Sequence, residues 1–128
     1  MPQTLLIDSD ILIDHLLKEQ SALDYISQEI DGGSSLFISV ISRIEILSGA
    51  RKGEGETIQS LFELLTPVDV DLAIADRAGE YLMKFRKSNA LSIGDAVMGA
   101  TAREMGMKLV TRNIKHYPMK DIEILKPY

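Results

Sequence analysis

Acidic side chains that follow short apolar runs are the residues of this sequence best suited to chemistry. Asp8 comes directly after the apolar run 4–7, Glu45 lies in the first turns of a helical segment, and Asp95 begins a segment rich in Ala and Gly. Neighbouring carboxylates repel one another unless a cation lies between them, and hard oxygen ligands suit Mg²⁺ or Mn²⁺. Such an ion can activate water and stabilise the charge that develops on a phosphodiester. If the fold brings the three acids together, the sequence predicts metal-assisted phosphodiester hydrolysis.

The elements that must position these acids follow from the spacing of the apolar residues, which switches repeatedly between strand-like and helix-like periods. Strands are predicted at 4–7, 36–39, 66–68, 108–111 and, at an edge, 122–125. Short strands separated by helices predict an α/β fold, with a mostly parallel sheet of four to five strands and helices on both faces. The length of 128 residues fits a single domain, 1–128.

Capping residues predict where several helices begin and end. Ser21 and Asp24 have the spacing of a capping box and predict a helix that starts there. Asp71 predicts the start of a longer helix. The segment 93–105 is predicted to be a helix that ends at Gly106.

In a parallel sheet, sites form beyond the carboxyl ends of the strands, and this is where the acids are expected to meet. Asp8 follows the first strand. If strand 108–111 is parallel to the first, the helix before it runs the opposite way and brings Asp95 to the same edge. Asn113 and His116 leave that strand at this edge too, so we expect a cluster of three acids, which includes Glu45, with these two side chains nearby.

Each acid also has a purely structural interpretation. Asp8 could cap the first helix, and the segments 92–95 and 42–45 both have capping-box spacing. The convergence of all three acids on one edge favours a functional site. Glu45 also lies between two Ile residues on a helix that we expect to have a narrow exposed face.

Other polar residues near these motifs are weaker candidates for a chemical role. Asp10, Asp14 and Asp71 are interpreted as solvated or capping residues. For His116, a structural and a chemical role are equally open.

Composition narrows the class of protein. The absence of Cys excludes disulfides and Cys-ligated metal sites. The net charge of −5 argues weakly against a plain nucleic-acid binder, but a nuclease whose acids are neutralised by a metal ion remains compatible with it. No signal peptide and no transmembrane segment is recognisable, so we expect a cytoplasmic protein without membrane contacts.

Four stretches together, 6–13, 39–49, 93–102 and 109–117, resemble the PIN-domain ribonucleases, in particular the VapC type of toxin from prokaryotic toxin–antitoxin pairs. The resemblance implies an RNA endonuclease that uses Mg²⁺ or Mn²⁺ held by Asp8, Glu45 and Asp95. It also implies a homodimer, and a cognate antitoxin that binds the toxin and blocks its site. Asn113 stands where many members have Asp, so a second ion would be held more weakly and the number of ions is open.

The mechanism implied by the resemblance assigns a role to each candidate. Asp8 and Asp95, with Glu45 directly or through water, would hold the ion whose water attacks phosphorus in line. Further candidates that would orient water or contact RNA are Ser9, Arg43, Arg51, Lys52, Thr111, Arg112, Asn113, Lys115 and His116.

Two alternatives remain at this point. A PIN-like module that binds RNA or a partner without cutting would keep the same fold. The segment Asp8-Ser9-Asp10 also resembles the nucleophile loop of haloacid-dehalogenase-type phosphatases. Against the phosphatase, no apolar strand ends in Ser or Thr with a suitably placed Lys after it, and no late acidic pair is present.

Overall fold

The computed structural model describes residues 2–128 and contains one five-stranded sheet. The strands are β1 (Thr4–Ile7), β2 (Ser35–Ser39), β3 (Thr66–Val68), β4 (Lys108–Val110) and β5 (Ile124–Leu125). Their order across the sheet is β3-β2-β1-β4-β5, and every pair is parallel. The predicted α/β fold class is confirmed, and β5 lies at an edge as expected.

Helices connect the strands and cover the sheet. They are α1 (Ser9–Leu16), α2 (Gln20–Asp31), α3 (Val40–Ser48), α4 (Gly55–Glu63), α5 (Leu72–Asn89) and α6 (Ile93–Met105), and a 3₁₀ turn follows at Ile114–His116. Asp71 caps α5 as predicted, since its carboxylate accepts a 2.9 Å hydrogen bond from Ile74 N–H. None of the helices described between residues 2 and 128 has both the length and the apolar character needed to span a bilayer.

The predicted capping box at Ser21 is wrong. Helix α2 begins one residue earlier, at Gln20, and its N-cap residue Glu19 makes no side-chain capping bond. Ser21 therefore lies inside the first turn, where it cannot act as the cap. Burial of Ala22 and Ile26 against the sheet, rather than a capping side chain, determines where this helix lies.

Two apolar cores pack on opposite faces of the sheet, because alternate residues of a strand point to opposite faces. Leu6 of β1 packs with residues of α5 and α6, whereas Leu5 and Ile7 pack with α1, α2 and α4. All three side chains are fully buried, and each contributes about 1.5–3 kcal/mol relative to an exposed position. This burial on both faces explains the continuous apolar run Leu5–Ile7 and fixes the strand that leads directly into Asp8.

Glycine is needed at two positions in or directly after α6, the helix that begins at the carboxyl edge of the sheet, which is the edge at which the parallel strands end. Gly106 takes φ +65 where α6 turns into β4, a conformation that favours glycine. A Cβ at Gly99 would lie 2.8 Å from the end of the Met119 side chain, which would have to move. Gly99 thus lets the segment that follows the 3₁₀ turn pack directly on α6.

Helix α3 has a wider exposed face than the sequence suggested, so that expectation is wrong. Ile44 and Leu47 are 61% and 51% exposed, and only Ser42 and Ile46 are buried. The N-cap of α3 is Ser39, whose hydroxyl accepts from Ile41 N–H. Ser42 therefore does not begin the helix, and the segment 42–45 is not a capping box.

Candidate active site

Asp8 is the centre of a polar cluster at the carboxyl edge of the sheet. The side chain is 8% exposed overall, and its Oδ1 accepts a 2.8 Å hydrogen bond from Ser9 N–H. Its Oδ2 accepts from the Thr111 hydroxyl at 2.9 Å and from the Tyr117 hydroxyl at 2.7 Å. Asp8 therefore caps α1, as the structural interpretation required, and is also held from β4 and from the segment beyond it.

Asp95 reaches the same edge from the first turn of α6, because this helix runs antiparallel to β4. Ser92 caps the helix, and its hydroxyl accepts from Asp95 N–H at 3.1 Å. The Asp95 carboxylate lies 3.3 Å from the Tyr117 hydroxyl and 3.6 Å from His116 Nδ1. Capping accounts for the backbone of Asp95, while its carboxylate faces the cluster.

Glu45 joins the cluster from α3 through Ser9. The Ser9 hydroxyl lies 3.4 Å from both Glu45 Oε1 and Asp8 Oδ1. Glu45 is exposed, so it forms the open side of the cluster. The structure thus brings together Asp8 from the end of β1, Glu45 from α3 and Asp95 from α6.

Asp10 is a further acid of this cluster that the sequence did not single out. Its Oδ2 accepts from Arg112 N–H at 2.9 Å and lies 3.4 Å from the Thr111 hydroxyl. The same Thr111 hydroxyl donates to Asp8. Asp10 is therefore tied to β4 beside Asp8 and is not simply a solvated residue.

The remaining candidates lie at different distances from the acids. Thr111 is fully buried behind Asp8, whereas Asn113 and Lys115 are exposed at the same edge. The Arg112 guanidinium contacts Asp14 at 2.7 Å. The Arg43 guanidinium lies 4.3 Å above the Phe62 ring, on α4.

The two remaining basic candidates come after α3. Arg51 is 3.9 Å from Glu54, and Lys52 is exposed. Both follow the end of α3, and Arg51 lines the same groove as Glu45.

Charge repulsion and burial shape the electrostatics of the site. Partial loss of hydration around the carboxyl groups raises the pKa of Asp10, Glu45 and Asp95 above the ordinary values, and the negative charge of Asp8 adds to the rise in each case. Burial and the Asp8 charge also raise the pKa of Tyr117 far above its usual value. Tyr117 therefore stays protonated and serves as a donor to the carboxylates.

The donor set of the cluster fits a hard divalent cation. All candidate ligands are carboxylate oxygens, and a cation among them would relieve the repulsion between their negative charges. In the described part of the chain, no three His, Asp or Glu side chains are already gathered into a metal cage. The fit of the cluster to a divalent cation therefore rests on its oxygen ligands and their negative charge.

Tyr117 is the functional residue that sequence reasoning missed most clearly. It is 4% exposed, and its hydroxyl lies between Asp8 and Asp95. The indication in the sequence was its position four residues after Asn113, in the segment that follows the strand ending at this edge. Similarly, the spacing of two residues between Asp8 and Asp10 could have indicated a second acid at this edge.

Comparison with known proteins shows what this arrangement is similar to. The PIN domain family matches residues 5–121. Ribonuclease VapC10 of Mycobacterium tuberculosis is 37% identical over 96% of this chain and 91% of its own length. Ribonuclease VapC19 of the same organism is 30% identical over 89% of this chain and 92% of its own length.

Solved structures show the same fold. A toxin–antitoxin complex from Klebsiella pneumoniae matches with a TM-score of 0.73 and 27% identity over 97% of this chain and 98% of its own. The DNA-bound VapBC of Salmonella typhimurium matches with a TM-score of 0.79 and 21% identity, over the full length of both chains. None of these matches supports the phosphatase alternative.

Proposed function

This chain belongs to the PIN-domain family, and on that premise we propose that it is a metal-dependent endoribonuclease and the toxin of a toxin–antitoxin pair. The observation that carries the proposal is the meeting of Asp8, Glu45 and Asp95 at one edge of the sheet. Relatives named as ribonucleases match nearly the whole chain, so the cluster lies in a domain whose relatives cut RNA.

The chain's own residues prepare the site for Mg²⁺ or Mn²⁺. Asp8 and Asp95 would hold the ion, with Glu45 directly or through water. A bound ion of this kind lowers the pKa of water and stabilises charge on phosphate oxygens. Thr111 and Tyr117 donate to one oxygen of Asp8 and so fix the direction in which its carboxylate points.

Ser9 and Asn113 are placed to orient water or a phosphate oxygen. Ser9 contacts two of the acids through its hydroxyl. The Asn113 side chain makes no hydrogen bond within residues 2–128 and is exposed beyond β4. Because an amide adds no negative charge, Asn113 contributes less to cation binding than an acid would.

An apolar groove beside the site supports an antitoxin partner. The groove, about 130 Å³, is lined by Ile13 and Leu17 of α1 and by Ile46 of α3, and it reaches Glu45. An apolar segment lying in this groove would bring its neighbouring residues to the acids. An Arg at that point would pair bidentately with a carboxylate and displace the cation.

A separate apolar surface supports a homodimer. Leu72 and Met83 lie about three turns apart on α5 and so face the same side, and they are 82% and 87% exposed. These two side chains offer apolar surface on one side of α5 to a second copy of the chain. An RNA substrate would place the activity in the cytoplasm, and we propose that residues 1–128 act there as one PIN-like domain.

The nuclease is tested by incubating the purified protein with total bacterial RNA, with Mg²⁺ or Mn²⁺ and separately with EDTA, and mapping the new RNA ends. We expect discrete cuts that require the metal. Uncut RNA in both metals would overturn the proposal.

The toxin assignment is tested by expressing this chain alone in bacteria, which should arrest growth. An Asp95→Asn variant expressed at the same level should not. Normal growth with the unmodified chain would reject the toxin role and leave the nuclease to be judged on RNA cleavage.

A further inference from the structure

A basic cleft lies beside the acid cluster. Its volume is about 430 Å³, and it is lined by Arg112, Asn113, Ile114, Lys115, His116 and Lys126. Every ionisable side chain in this lining is basic, although the chain as a whole carries a net charge of −5. Positive charge is therefore concentrated at one place next to the negative site.

Two of these basic side chains already have acidic partners. The Arg112 guanidinium contacts Asp14 at 2.7 Å and lies 5.6 Å from the Tyr128 ring centre. The Tyr128 hydroxyl donates to the same Asp14 oxygen at 2.7 Å. His116 lies 3.6 Å from Asp95.

Lys115 and Lys126 are the cations without such partners. Both are exposed, and neither takes part in an ion pair with any residue from 2 to 128. Their charges are therefore available to an anion that enters the cleft. Lys126 was not among the residues that the sequence indicated.

The topology explains why Lys126 faces the site. Strand β5 pairs in parallel with β4, and Thr111 N–H donates to Leu125 C=O at 3.1 Å. Lys126 follows Leu125 directly, so it leaves the sheet at the same edge as Asp8. Tyr117 directly follows His116 of the cleft and contacts Asp8. The cleft and the acid cluster are therefore adjacent.

We propose that this cleft is a subsite for single-stranded RNA, in which Lys115 and Lys126 hold the phosphate of a nucleotide next to the one that is cut. This inference rests on the proposed nuclease function. Ile114 is 43% exposed within the cleft and offers apolar surface to a sugar or base. The acids repel the RNA backbone in the absence of a cation, and the two lysines offset that repulsion where the backbone passes through the cleft.

The test measures binding and cleavage separately in three variants that each remove one lysine charge. Lys115→Gln and Lys126→Gln alter the cleft. Lys18→Gln is the matched control, because Lys18 is exposed beyond the far end of α1. Binding of a fluorescein-labelled uridine dodecamer is followed by anisotropy in EDTA over a series of KCl concentrations, and cleavage of the same RNA is followed with Mg²⁺.

Each cleft variant should weaken RNA binding roughly five- to tenfold and reduce the slope of log affinity against log salt by about 0.7. KM for cleavage should rise by a similar factor while kcat is retained. Lys18→Gln should match the unmodified protein in RNA affinity, salt slope, KM and kcat. Equal binding by all three variants would overturn the subsite even if the protein cuts RNA.

The two proposals fail in different ways. Loss of binding in the cleft variants, with no cleavage by any protein, would support the subsite and reject the nuclease. If instead the cleft variants bind RNA normally but lose binding of a labelled poly-glutamate peptide, the cleft is a docking site for an acidic protein segment and the RNA subsite is rejected.

Discussion

Removal of the Tyr117 hydroxyl tests whether the phenol holds Asp8 in place. In Tyr117→Phe the carboxylate of Asp8 loses its 2.7 Å hydrogen bond while the ring stays buried. A hydrogen bond to a charged partner contributes about 1.5–3 kcal/mol to stability. Since each kcal/mol shifts the melting temperature of a domain of this size by roughly 4 °C, we expect Tyr117→Phe to melt about 6–12 °C lower in EDTA at pH 7.

Tyr25→Phe is the matched control for this change. The Tyr25 hydroxyl is buried and has no hydrogen-bond partner in the part of the chain that the structure describes. Its removal leaves no unpaired group behind, so its melting temperature should equal or exceed that of the unmodified protein. Circular dichroism melts of the three proteins decide the matter. Equal melting temperatures for Tyr117→Phe and the unmodified protein would refute the reasoning, as would an equal loss in Tyr25→Phe.

Three further variants test single members of the site. The pKa values of Asp10, Glu45 and Asp95 are raised in the folded protein, which therefore binds protons more tightly at these groups than the unfolded protein does. As the pH rises from the ordinary carboxyl pKa through the raised pKa, these three groups therefore lower the stability of the metal-free fold. Asp95→Asn should therefore melt higher than the unmodified protein in EDTA at pH 7, by a margin that shrinks on acidification; a margin independent of pH would contradict this origin. Asn113→Asp should lower the Mg²⁺ concentration at which cleavage saturates, and an unmoved metal curve would remove Asn113 from the site. His116→Ala should retain cleavage, because Asp95 is the one polar partner of its exposed imidazole among residues 2–128, and loss of cleavage at every Mg²⁺ concentration would make His116 the general base.

The elements that sequence predicted best are those in which local and tertiary signals agree. The first strand is apolar from Leu5 to Ile7 because the sheet buries both of its faces there. Helix α6 has the predicted bounds, with Ser92 capping its start and Gly106 in a left-handed conformation after its end. At Ser21 the local capping signal was overridden by packing, and this helix starts without a side-chain cap.

Topology alone was enough to predict part of the acid cluster. Parallel strands place the residues after them at one edge, and this was enough to bring Asp8 and Asp95 together. Tyr117 reaches the acids through a 3₁₀ turn, and Met119, in the segment that follows the turn, packs closely against Gly99; neither feature has a periodic pattern. The engagement of Arg112 by Asp14 is likewise a contact between distant segments that spacing does not reveal.

The most direct test of the acid cluster compares RNA cleavage by Asp95→Asn and Asp31→Asn with that of the unmodified protein, at saturating Mg²⁺ and equal concentrations of folded protein. Both substitutions remove one negative charge and little volume. Asp31 is exposed at the end of α2 and makes no hydrogen bond or ion pair through its side chain with residues 2–128. We expect Asp95→Asn to lose cleavage while Asp31→Asn cuts the same RNA at the original rate. Full cleavage by folded Asp95→Asn would contradict the assignment of the acid cluster as the nuclease site.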